Sequence, residues 1–540
     1  MRQKTTWDEK LGIVLMVVSA ALLGVSVYLC FCNDIWYDEL FTMGLGNQSL
    51  SGLISVTARD VHPPLYYMIV KLALMIGGSF FSGPEQVVLA KLVSVLPFVL
   101  CLVYAATKVR KHFGMLTAGL FSFLVITMPQ MADYTVEIRM YGYAVFFITA
   151  GMLHAYELTG ERSSVTCKMA GTNDKISGAE YNTKKSYVDW IAVTIYALLA
   201  LYTHYFAAVA ALMIYAYLFF AFLAEQKLKQ KILPFLCSGF ACVIGYLPWM
   251  IGVVTAQVGR VKENYWIQPV SLRTLGGCVK FLFKPAFTTE WLNNLLAVVL
   301  FVLYGGLLVV TLLHYLKSEK EQHLKKAFFL AGCVDCLIGI VIFGFAASFL
   351  VRPIFVYRYM LPAMGVFWLA FAIMLGNIKD RKVLLLPILA VVILVGLRDY
   401  RAFYGEEMWK KLQMEVTESA LEQIEEDDII IYNFDQAQGV VSYYLNNETY
   451  LWYGNTEELI VEMYPYNHSL VEGEFSDEAG IARIKEFLRE GKDVWFLGSG
   501  NAREEILQKW VESGMGFEEK DSVMIERYWF NLYKISPLTL

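Results

Sequence analysis

The sequence has little charge for its length. Asp, Glu, Lys and Arg make up 18% of the 540 residues, whereas 57% are hydrophobic and the mean hydropathy is +0.48. This balance excludes an ordinary soluble domain. Repeated apolar runs are long enough to cross the roughly 30 Å of hydrocarbon in a bilayer, so the composition predicts a polytopic α-helical membrane protein.

Cysteine is also scarce. None of the nine cysteines follows Tyr400, and all but Cys167 and Cys278 lie in or at the edge of apolar runs. Buried cysteine usually acts as a small hydrophobe, so we expect no disulfide framework. Cys333 and Cys336 have the spacing of a metal or redox pair, but they lie in an apolar run without a second pair, which favours core packing.

The N-terminal apolar run lacks the small-residue cleavage site of a signal peptide. Residues 11–32 are also too long for a signal-peptide core, so we interpret them as a first membrane span. Because Lys and Arg cluster in cytoplasmic loops, the basic clusters predict about eleven spans in the plasma membrane, with a cytoplasmic N-terminus and an extracytoplasmic C-terminus. The predicted spans are 11–32, 88–107, 114–130, 141–158, 189–204, 206–224, 232–253, 293–315, 327–350, 359–377 and 383–398.

Residues 64–81 form a further apolar segment. If it crossed the membrane, the topology would reverse and the basic cluster at 108–111 would face outside. We therefore predict a helix that dips into or lies along the outer leaflet, with Tyr66 and Tyr67 at its start. A full crossing, giving twelve or more spans, is the alternative.

Under this topology, the residues that could take part in catalysis or ligand binding lie at the outer face of the membrane. Ionisable groups held at a membrane boundary are costly to desolvate, so they indicate function. The predicted outer segments are 33–64, 133–141, 203–205, 257–291 and 352–359. The cytoplasmic loops carry basic clusters without a catalytic combination, so we predict a one-sided site centred on the first outer loop, about residues 33–64.

From about residue 400 the composition becomes that of a soluble protein. We predict two domains, a membrane domain over 1–399 and an extracytoplasmic α/β domain over 400–540. Helical patterns at 406–425, 479–490 and 501–513 alternate with strands at 428–432, 493–497 and within 523–535. Gly498-Ser499-Gly500 lacks the full glycine fingerprint of a nucleotide loop. Asn447 heads a glycosylation sequon, which is meaningful only in a eukaryotic secretory pathway.

Two adjacent carboxylates, Asp38 and Glu39, follow the aromatic pair Trp36-Tyr37 in the first outer loop. Crowded carboxylates in an enclosed site tend to raise one pKa, which suits a general base. We predict that Asp38 is the base and that Glu39 supports it or orients the loop. The alternative is a helix N-terminus in which Asp38 caps the first turn.

Several other outer-face residues are candidates for binding a phosphate or a sugar. Asp60 and His62 precede a double proline, which otherwise makes a rigid corner. Arg358 suits a phosphate clamp better than Arg352, and the alternative is that both arginines extend to the lipid headgroups. The predicted contacts are Asp60, His62, Glu137, Arg139, Tyr141, His204, Arg352, Arg358 and Tyr359.

For three of these residues a structural interpretation stays open. Glu137 and Arg139 would pair with each other or with headgroups, and His204 would be a satisfied interface histidine. Cations in the long outer loop hint at an anionic ligand, although long loops follow the positive-inside trend weakly. These cations are Lys262, Arg273, Lys280 and Lys284.

Five motifs in this order resemble the GT-C superfamily of polyprenyl-phosphate-sugar-dependent glycosyltransferases, over about residues 10–400. The closest branch is that of the protein O-mannosyltransferases and the bacterial lipid A aminoarabinose transferase. The matching segments are Asp38-Glu39, His62-Pro-Pro-Leu-Tyr-Tyr67, Glu137-Ile-Arg-Met-Tyr141, Thr203-His204-Tyr205 and Arg358-Tyr-Met-Leu-Pro362.

The resemblance implies a GT-C-like fold and an inverting transfer of a sugar from a polyprenyl phosphate, with Asp38 as base. The chain lacks the β-trefoil insertion of the eukaryotic mannosyltransferases, which favours a bacterial member and a cell-envelope acceptor, whether glycan, lipid or protein. The superfamily includes metal-independent and metal-binding members, so a divalent metal ion stays open as a cofactor. We expect a lipid-linked donor and the bilayer as partners, and no nucleic acid.

Two other classes of protein remain alternatives. A transporter, flippase or glycan-polymerase-like protein would show polar residues at the membrane midplane and broken helices, often in two related halves. A non-catalytic envelope protein would bind its partner through the soluble tail. The predicted spans are mostly apolar and their polar residues gather at one face, which favours an enzyme.

Overall fold

A computed structural model of the chain describes residues 6–81, 83–159, 178–255, 257 and 267–537, with the side chains of 178–185 excepted. The chain folds into a helical bundle followed by an α/β layer. The bundle helices are α1 (Trp7–Leu29), α2 (Tyr37–Asn47), α3 (Leu50–Arg59), α4 (Leu65–Gly77), α5 (Gln86–Tyr104), α6 (Arg110–Phe113), α7 (Met115–Thr127), α8 (Tyr141–Leu158), α9 (Gly178–Leu201), α10 (Tyr205–Ala224), α11 (Leu228–Trp249), α12 (Leu272–Phe283), α13 (Glu290–Leu316), α14 (Glu321–Leu350), α15 (Leu361–Asn377) and α16 (Lys382–Leu421).

Each predicted membrane span coincides with a helix. In the part of the chain that the structure describes, eight helices are long and apolar enough to cross a membrane, namely α1, α5 with its extension, α10, α11, α13, α14, α15 and α16. The three other predicted spans are α7, α8 and α9, which are shorter or less apolar. The predicted polytopic fold with a C-terminal α/β domain is therefore confirmed.

The centre of the bundle is formed by α7, α8 and α15. Nearly every residue of these three helices is buried. Apart from the polar ends of α8, their side chains are apolar on all faces. A helix of that kind belongs inside a bundle and not on its surface. By contrast, α11 and α13 expose apolar side chains such as Ile244 and Val302, as lipid-facing helices do.

The short helix α4 has 13 residues and rises about 20 Å, less than the roughly 30 Å of hydrocarbon. It packs on α2 and α5, and Tyr66 and Tyr67 at its start are fully buried. The amide of Leu65 donates to the carbonyl of Tyr202 at 3.0 Å, which fixes its first turn to the end of α9. This length favours the predicted dip over a full crossing.

The final bundle helix α16 continues without a break from residue 382 to 421, past the predicted domain boundary at 399/400. A six-stranded sheet follows, in the order β3-β2-β1-β4-β6-β5, with β1 to β4 parallel and the β5–β6 hairpin antiparallel. The strands are β1 (Ile429–Tyr432), β2 (Thr449–Leu451), β3 (Asn467–Ser469), β4 (Val494–Gly498), β5 (Met515–Ile525) and β6 (Tyr528–Pro537). The helices between them are α17 (Asp435–Val441), α18 (Glu458–Met463), α19 (Asp477–Arg489) and α20 (Gly500–Glu512).

Alternate residues of the central strands face opposite sides of the sheet. Ile430 and Trp495 join the core that is continuous with the bundle, whereas Ile431 and Phe496 join a second core beneath α19 and α20. Because both faces are covered, β1 is a continuous apolar run, as is usual for parallel strands. The domain is therefore packed onto the bundle through one whole face of its sheet.

Some features of the sequence have a structural explanation. The side-chain amide of Asn447 is buried and donates to the carbonyls of Glu425 and Asp428 at 2.6 and 2.9 Å, so the folded protein cannot present it for glycosylation.

Cys333 and Cys336 are buried among apolar residues, in agreement with core packing. Cys167 and Lys262 lie outside the described residues.

The crossing of α1 and α7 depends on two glycines. A Cβ atom at Gly119 would lie 2.1 Å from the carbonyl oxygen of Gly12, so even alanine must push the helices apart. We expect Gly119→Ala to lower the free energy of unfolding by about 1–3 kcal/mol, the usual effect of overpacking. Thermal unfolding in detergent measures this, with Gly24→Ala as control because a Cβ there meets nothing within 4 Å. Equal midpoints for the two variants would contradict the close crossing.

Candidate active site

The two adjacent carboxylates lie in the first turn of α2, which begins directly after the extended residue Trp36. Acidic side chains are favourable there because the N-terminus of a helix carries partial positive charge. The carboxylate that caps the turn is that of Glu39, which accepts from the amide of Trp36 at 3.3 Å. The alternative interpretation predicts a helix N-terminus at this point, as observed, but the capping residue is Glu39 and not Asp38.

Glu39 also connects α2 to the loop that precedes α8. Its side chain is 4% exposed, and its second oxygen accepts from the amide of Ile138 at 2.7 Å. The hydroxyl of Thr42 donates to the carbonyl of the same Ile138 at 3.2 Å. Burial raises the pKa of Glu39 to about 7. With both oxygens bonded to the backbone, Glu39 orients the loop.

Asp38 is thereby held between two arginines from distant parts of the chain. Its Oδ2 lies 3.1 Å from Nη1 of Arg358 and 3.5 Å from Nη2 of Arg139. Arg139 also donates from Nη1 to the backbone carbonyl of Asp38 at 3.0 Å, and its side chain is 5% exposed. Two guanidinium groups around one carboxylate leave an excess positive charge, which suits an anionic ligand.

A wall of imidazole and phenol rings lies next to this group. Nδ1 of His62 contacts a carboxylate oxygen of Asp60 at 3.1 Å, and the ring centres of His62 and His204 are 5.9 Å apart. The His204 ring also contacts Tyr141 and Tyr359, at 5.4 and 5.1 Å between centres. This set, His62, His204, Tyr141 and Tyr359, is called the ring wall below.

His204 is held in one tautomer. Its Nδ1 accepts from the amide of Phe206 at 3.1 Å, so in the neutral ring the proton is on Nε2. Burial lowers the pKa of His204 well below its ordinary value, and the charges of His62, Arg139 and Arg358 lower it further. The residue is therefore a neutral hydrogen-bond donor at physiological pH.

Several buried polar atoms around Asp38 have no hydrogen-bond partner in the described part of the chain. They are the hydroxyls of Tyr67 and Tyr141, and Nε of Arg139 and Arg358. Buried polar groups normally have partners, so a cluster of this kind marks a place where a ligand would bind. Tyr67 lies within the matched motif but was not among the predicted contacts.

A cavity of about 580 Å³ adjoins Arg358 on the side of the soluble domain. Arg358 and Glu39 line it, together with Trp36, the loop 130–137, residues 406–414 of α16 and the turn between β5 and β6. Lys91 also lines it and pairs with Asp34 at 2.6 Å. This pair is not among the predicted site residues, although a lysine inside a predicted span is itself a signal of function.

The structure brings most of the predicted residues together. Arg358 contacts Asp38, and the half-buried Glu137 lines the cavity. Of the cations in the long outer loop, Lys284 pairs with Glu290 at 2.9 Å. The functional roles of all these residues stay predictions.

The opposite end of α8 carries a second group of ionisable side chains, so the predicted one-sided distribution is incomplete. Glu157 contacts Lys111 and His112, both at 2.8 Å, and His154 contacts Asp189 at 2.9 Å. Tyr141 and Glu157 are 16 residues apart on α8, or about 24 Å along its axis. The two groups are therefore separate.

The residues around Asp38 do not fit a metal ion. A divalent cation needs several oxygen or nitrogen ligands, but the two nearest partners of the Asp38 carboxylate are guanidinium groups. No group of three His, Cys, Asp or Glu side chains able to hold a metal occurs within the described ranges.

Comparison with known proteins identifies the fold. No family model matches the sequence, and no curated protein matches it. Among solved structures, ArnT from Cupriavidus metallidurans is similar in its apo state, with 10% identity, a TM-score of 0.55 and coverage of 97% of this chain and 98% of that chain. The same protein bound to undecaprenyl phosphate gives 10% identity, a TM-score of 0.56 and coverage of 96% and 97%.

The oligosaccharyltransferase of Archaeoglobus fulgidus, in complex with Zn and sulfate, is more distant. It has 11% identity and a TM-score of 0.43, with coverage of 88% of this chain and 68% of that chain. The likeness to ArnT extends over nearly the whole of both chains, the soluble domain included. The chain therefore has the same overall fold as ArnT, in agreement with the fold class predicted from the sequence.

The buried carboxyls make stability depend on pH. Burial, and then the charge of Glu39, raise the pKa of Glu137 from 4.5 to about 8, so the folded protein binds a proton that the unfolded chain releases. The contribution of the Glu137 proton to the free energy of unfolding is complete below pH 4.5 and is lost as the pH rises to about 8. We expect the thermal midpoint to fall over this range and Glu137→Gln to reduce the fall by a few degrees. Glu478→Gln, at an exposed carboxylate, is the control, and parallel pH profiles for all three proteins would contradict the assignment.

Proposed function

We propose that the chain is an integral-membrane inverting glycosyltransferase that moves a sugar from a polyprenyl-phosphate donor to a cell-envelope acceptor at the outer membrane face. The proposal rests on the Asp38 carboxylate, which lies between the guanidinium groups of Arg139 and Arg358. Nearby hydroxyls have no hydrogen-bond partner among the residues that the structure describes. The proposal also draws on the fold, because ArnT was crystallised with undecaprenyl phosphate.

The arginines would bind the phosphate of the donor. A guanidinium binds a phosphate with two parallel hydrogen bonds, and the excess positive charge around Asp38 attracts the anion. Developing negative charge on the departing phosphate is then stabilised by groups already in place, which lowers the barrier. The hydroxyls of Tyr67 and Tyr141 and the Nε2–H of His204 are further donors close by.

Asp38 would then act as the base. Once a phosphate attracts the two arginines, the carboxylate is released to accept a proton from the acceptor hydroxyl. The acceptor oxygen forms a bond to the anomeric carbon while the bond from that carbon to the phosphate oxygen breaks, and the electron pair leaves with the phosphate. One displacement inverts the anomeric centre, so a single carboxylate suffices, unlike the paired carboxylates of glycoside hydrolases.

The distribution of polar residues argues against the transporter alternative. A transport pathway would place polar groups at the middle of the bundle. Between its two polar ends, α8 is apolar from Ala144 to Leu153 except for Thr149, whose hydroxyl donates to the carbonyl of Val145 at 2.7 Å. The central helices α7 and α15 are equally buried and almost wholly apolar.

Replacement of the proposed base tests the mechanism. We expect Asp38→Asn to lower the rate of sugar transfer by on the order of a hundredfold or more, since general-base catalysis contributes about that much. Undecaprenyl-phosphate binding and the thermal midpoint should be retained. The measurement is the transfer of sugar from polyprenyl-phosphate donors to envelope extract, with Asp427→Asn at an exposed carboxylate as control. Full activity in Asp38→Asn would exclude Asp38 as the base.

Replacement of the two arginines tests donor binding. Each charged hydrogen bond contributes about 1.5–3 kcal/mol, so Arg139→Gln and Arg358→Gln should each weaken undecaprenyl-phosphate binding by roughly tenfold or more. The measurement is a binding titration of the full chain in nanodiscs. Arg489→Gln, at an exposed residue of α19, is the control. Unchanged affinity in both site variants would remove the arginines from the donor site.

A further inference from the structure

The cavity beside Arg358 is distinct from the ring wall. Its lining includes Glu39 and Arg358, whereas no ring-wall residue contributes to it among the described residues. Arg358 therefore stands between the two regions, with its Nη1 3.1 Å from Asp38 and its guanidinium 5.9 Å above the ring centre of Trp36. A molecule in the cavity would reach Asp38 past this arginine.

The polar lining of the cavity is mostly acidic. Seven acidic and four basic side chains line it, so carboxyl groups outnumber cations by three. The acidic residues are Asp34, Glu39, Asp133, Glu137, Glu406, Glu407 and Glu526, and the basic residues are Lys91, Arg358, Lys410 and Arg527.

Each of the four cations is already in an ion pair. Lys91 lies 2.6 Å from Asp34, Lys410 lies 2.6 Å from Glu407, Arg527 contacts Glu406, and Arg358 contacts Asp38. Burial raises the pKa of Asp133 to about 6 and that of Glu137 to about 8, so part of this acidic lining is uncharged near neutral pH. Because each of the four cations is paired, none of them is free to bind an additional anion. The carboxyl oxygens can still accept hydrogen bonds from hydroxyl or ammonium donors.

The remaining lining is aromatic. Trp36, Tyr134 and Trp409 line the cavity, and the Trp409 side chain is 41% exposed. Aromatic faces combined with carboxylate acceptors suit a ligand that has an apolar face and many hydroxyls, as a sugar ring does. A volume of about 580 Å³ also falls in the range of small-molecule sites.

The cavity is closed by the turn between β5 and β6. Glu526 and Arg527 at this turn have φ of +51° and +73°, a left-handed conformation that is strained for a residue other than glycine. The carboxylate of Glu526 accepts from the amide of Tyr37, one of the free N–H groups in the first turn of α2. The soluble domain thus completes the cavity and fixes its edge to the helix that carries Asp38.

We propose that this cavity is the acceptor subsite of the transferase, and that it binds the hydroxyl of an uncharged or amine-bearing glycan and excludes a phosphate group as the acceptor. The proposal rests on the proposed function. In the reaction, the acceptor O–H bond breaks and its proton passes to Asp38. The oxygen bonds to the anomeric carbon as the donor phosphate departs with the electron pair of the broken bond.

The chemistry of the product tests this class of acceptor. A sugar on a glycan hydroxyl is an ordinary glycoside and survives mild acid, whereas a sugar on a phosphate is a labile phosphodiester with its own ³¹P resonance. We expect cells lacking the chain to lose one envelope sugar whose linkage, in cells with the chain, resists mild acid and carries no phosphorus. Release by mild acid with a phosphodiester resonance would overturn the acceptor proposal alone. If no envelope sugar is lost, the proposed function itself fails.

A variant of a residue that lines the cavity tests whether the acceptor binds there. We expect Trp409→Ala in the full chain to lower transfer by about tenfold, as the loss of one aromatic contact does, with undecaprenyl-phosphate affinity unchanged. Trp529→Ala is the matched control, since that side chain is 54% exposed on β6 and does not line the cavity. An equal loss of undecaprenyl-phosphate affinity in Trp409→Ala would place the donor in the cavity and overturn the proposal. Unchanged transfer in Trp409→Ala would overturn it as well.

Discussion

The geometry around Asp38 depends on one buried carboxylate, that of Glu39. It caps α2 and binds the amide of Ile138, so the helix that carries the proposed base and the loop that carries Arg139 are held as one unit. A buried carboxylate is costly unless its oxygens are hydrogen-bonded, and here both are bonded to the backbone. Asp38 is thereby left to interact with the arginines, and the two adjacent acidic residues have different tasks.

The site combines opposite charges whose ion pairs would change when a ligand binds. Around Asp38 two guanidinium groups exceed one carboxylate, whereas the neighbouring cavity is lined by more carboxyl groups than cations. An anionic donor would therefore be attracted to the arginines, and an uncharged or cationic acceptor would bind in the cavity. Arg358 is the only cation that belongs to both regions among the described residues, so it would couple the binding of one substrate to that of the other.

The sequence predicted those features that depend on local patterns. Every predicted span coincides with a helix, and the motif residues converge because the topology places their loops at one end of the bundle. The pattern offers Asp38 as the cap of α2 only as an alternative, and in the structure Glu39 caps the helix, since adjacent side chains in a turn are not distinguished by pattern alone. The contact between Tyr37 and Glu526 joins residues 489 positions apart, and the pair of Lys91 with Asp34 joins two different segments. Such contacts depend on packing and have no periodic signal.

The soluble domain is part of the site and not an attached module. Besides Glu526, three tyrosine contacts connect it to the segment around α2. Tyr37 donates to Glu457 at 3.1 Å, Tyr464 donates to the carbonyl of Leu40 at 3.0 Å, and Tyr444 donates to the carbonyl of Asn33 at 2.7 Å. Because α16 enters the domain as one uninterrupted helix and one face of the sheet shares the core of the bundle, the domain has little freedom to move away. A fixed domain of this kind defines the shape of the acceptor cavity, so the choice of acceptor is determined by both parts of the chain together.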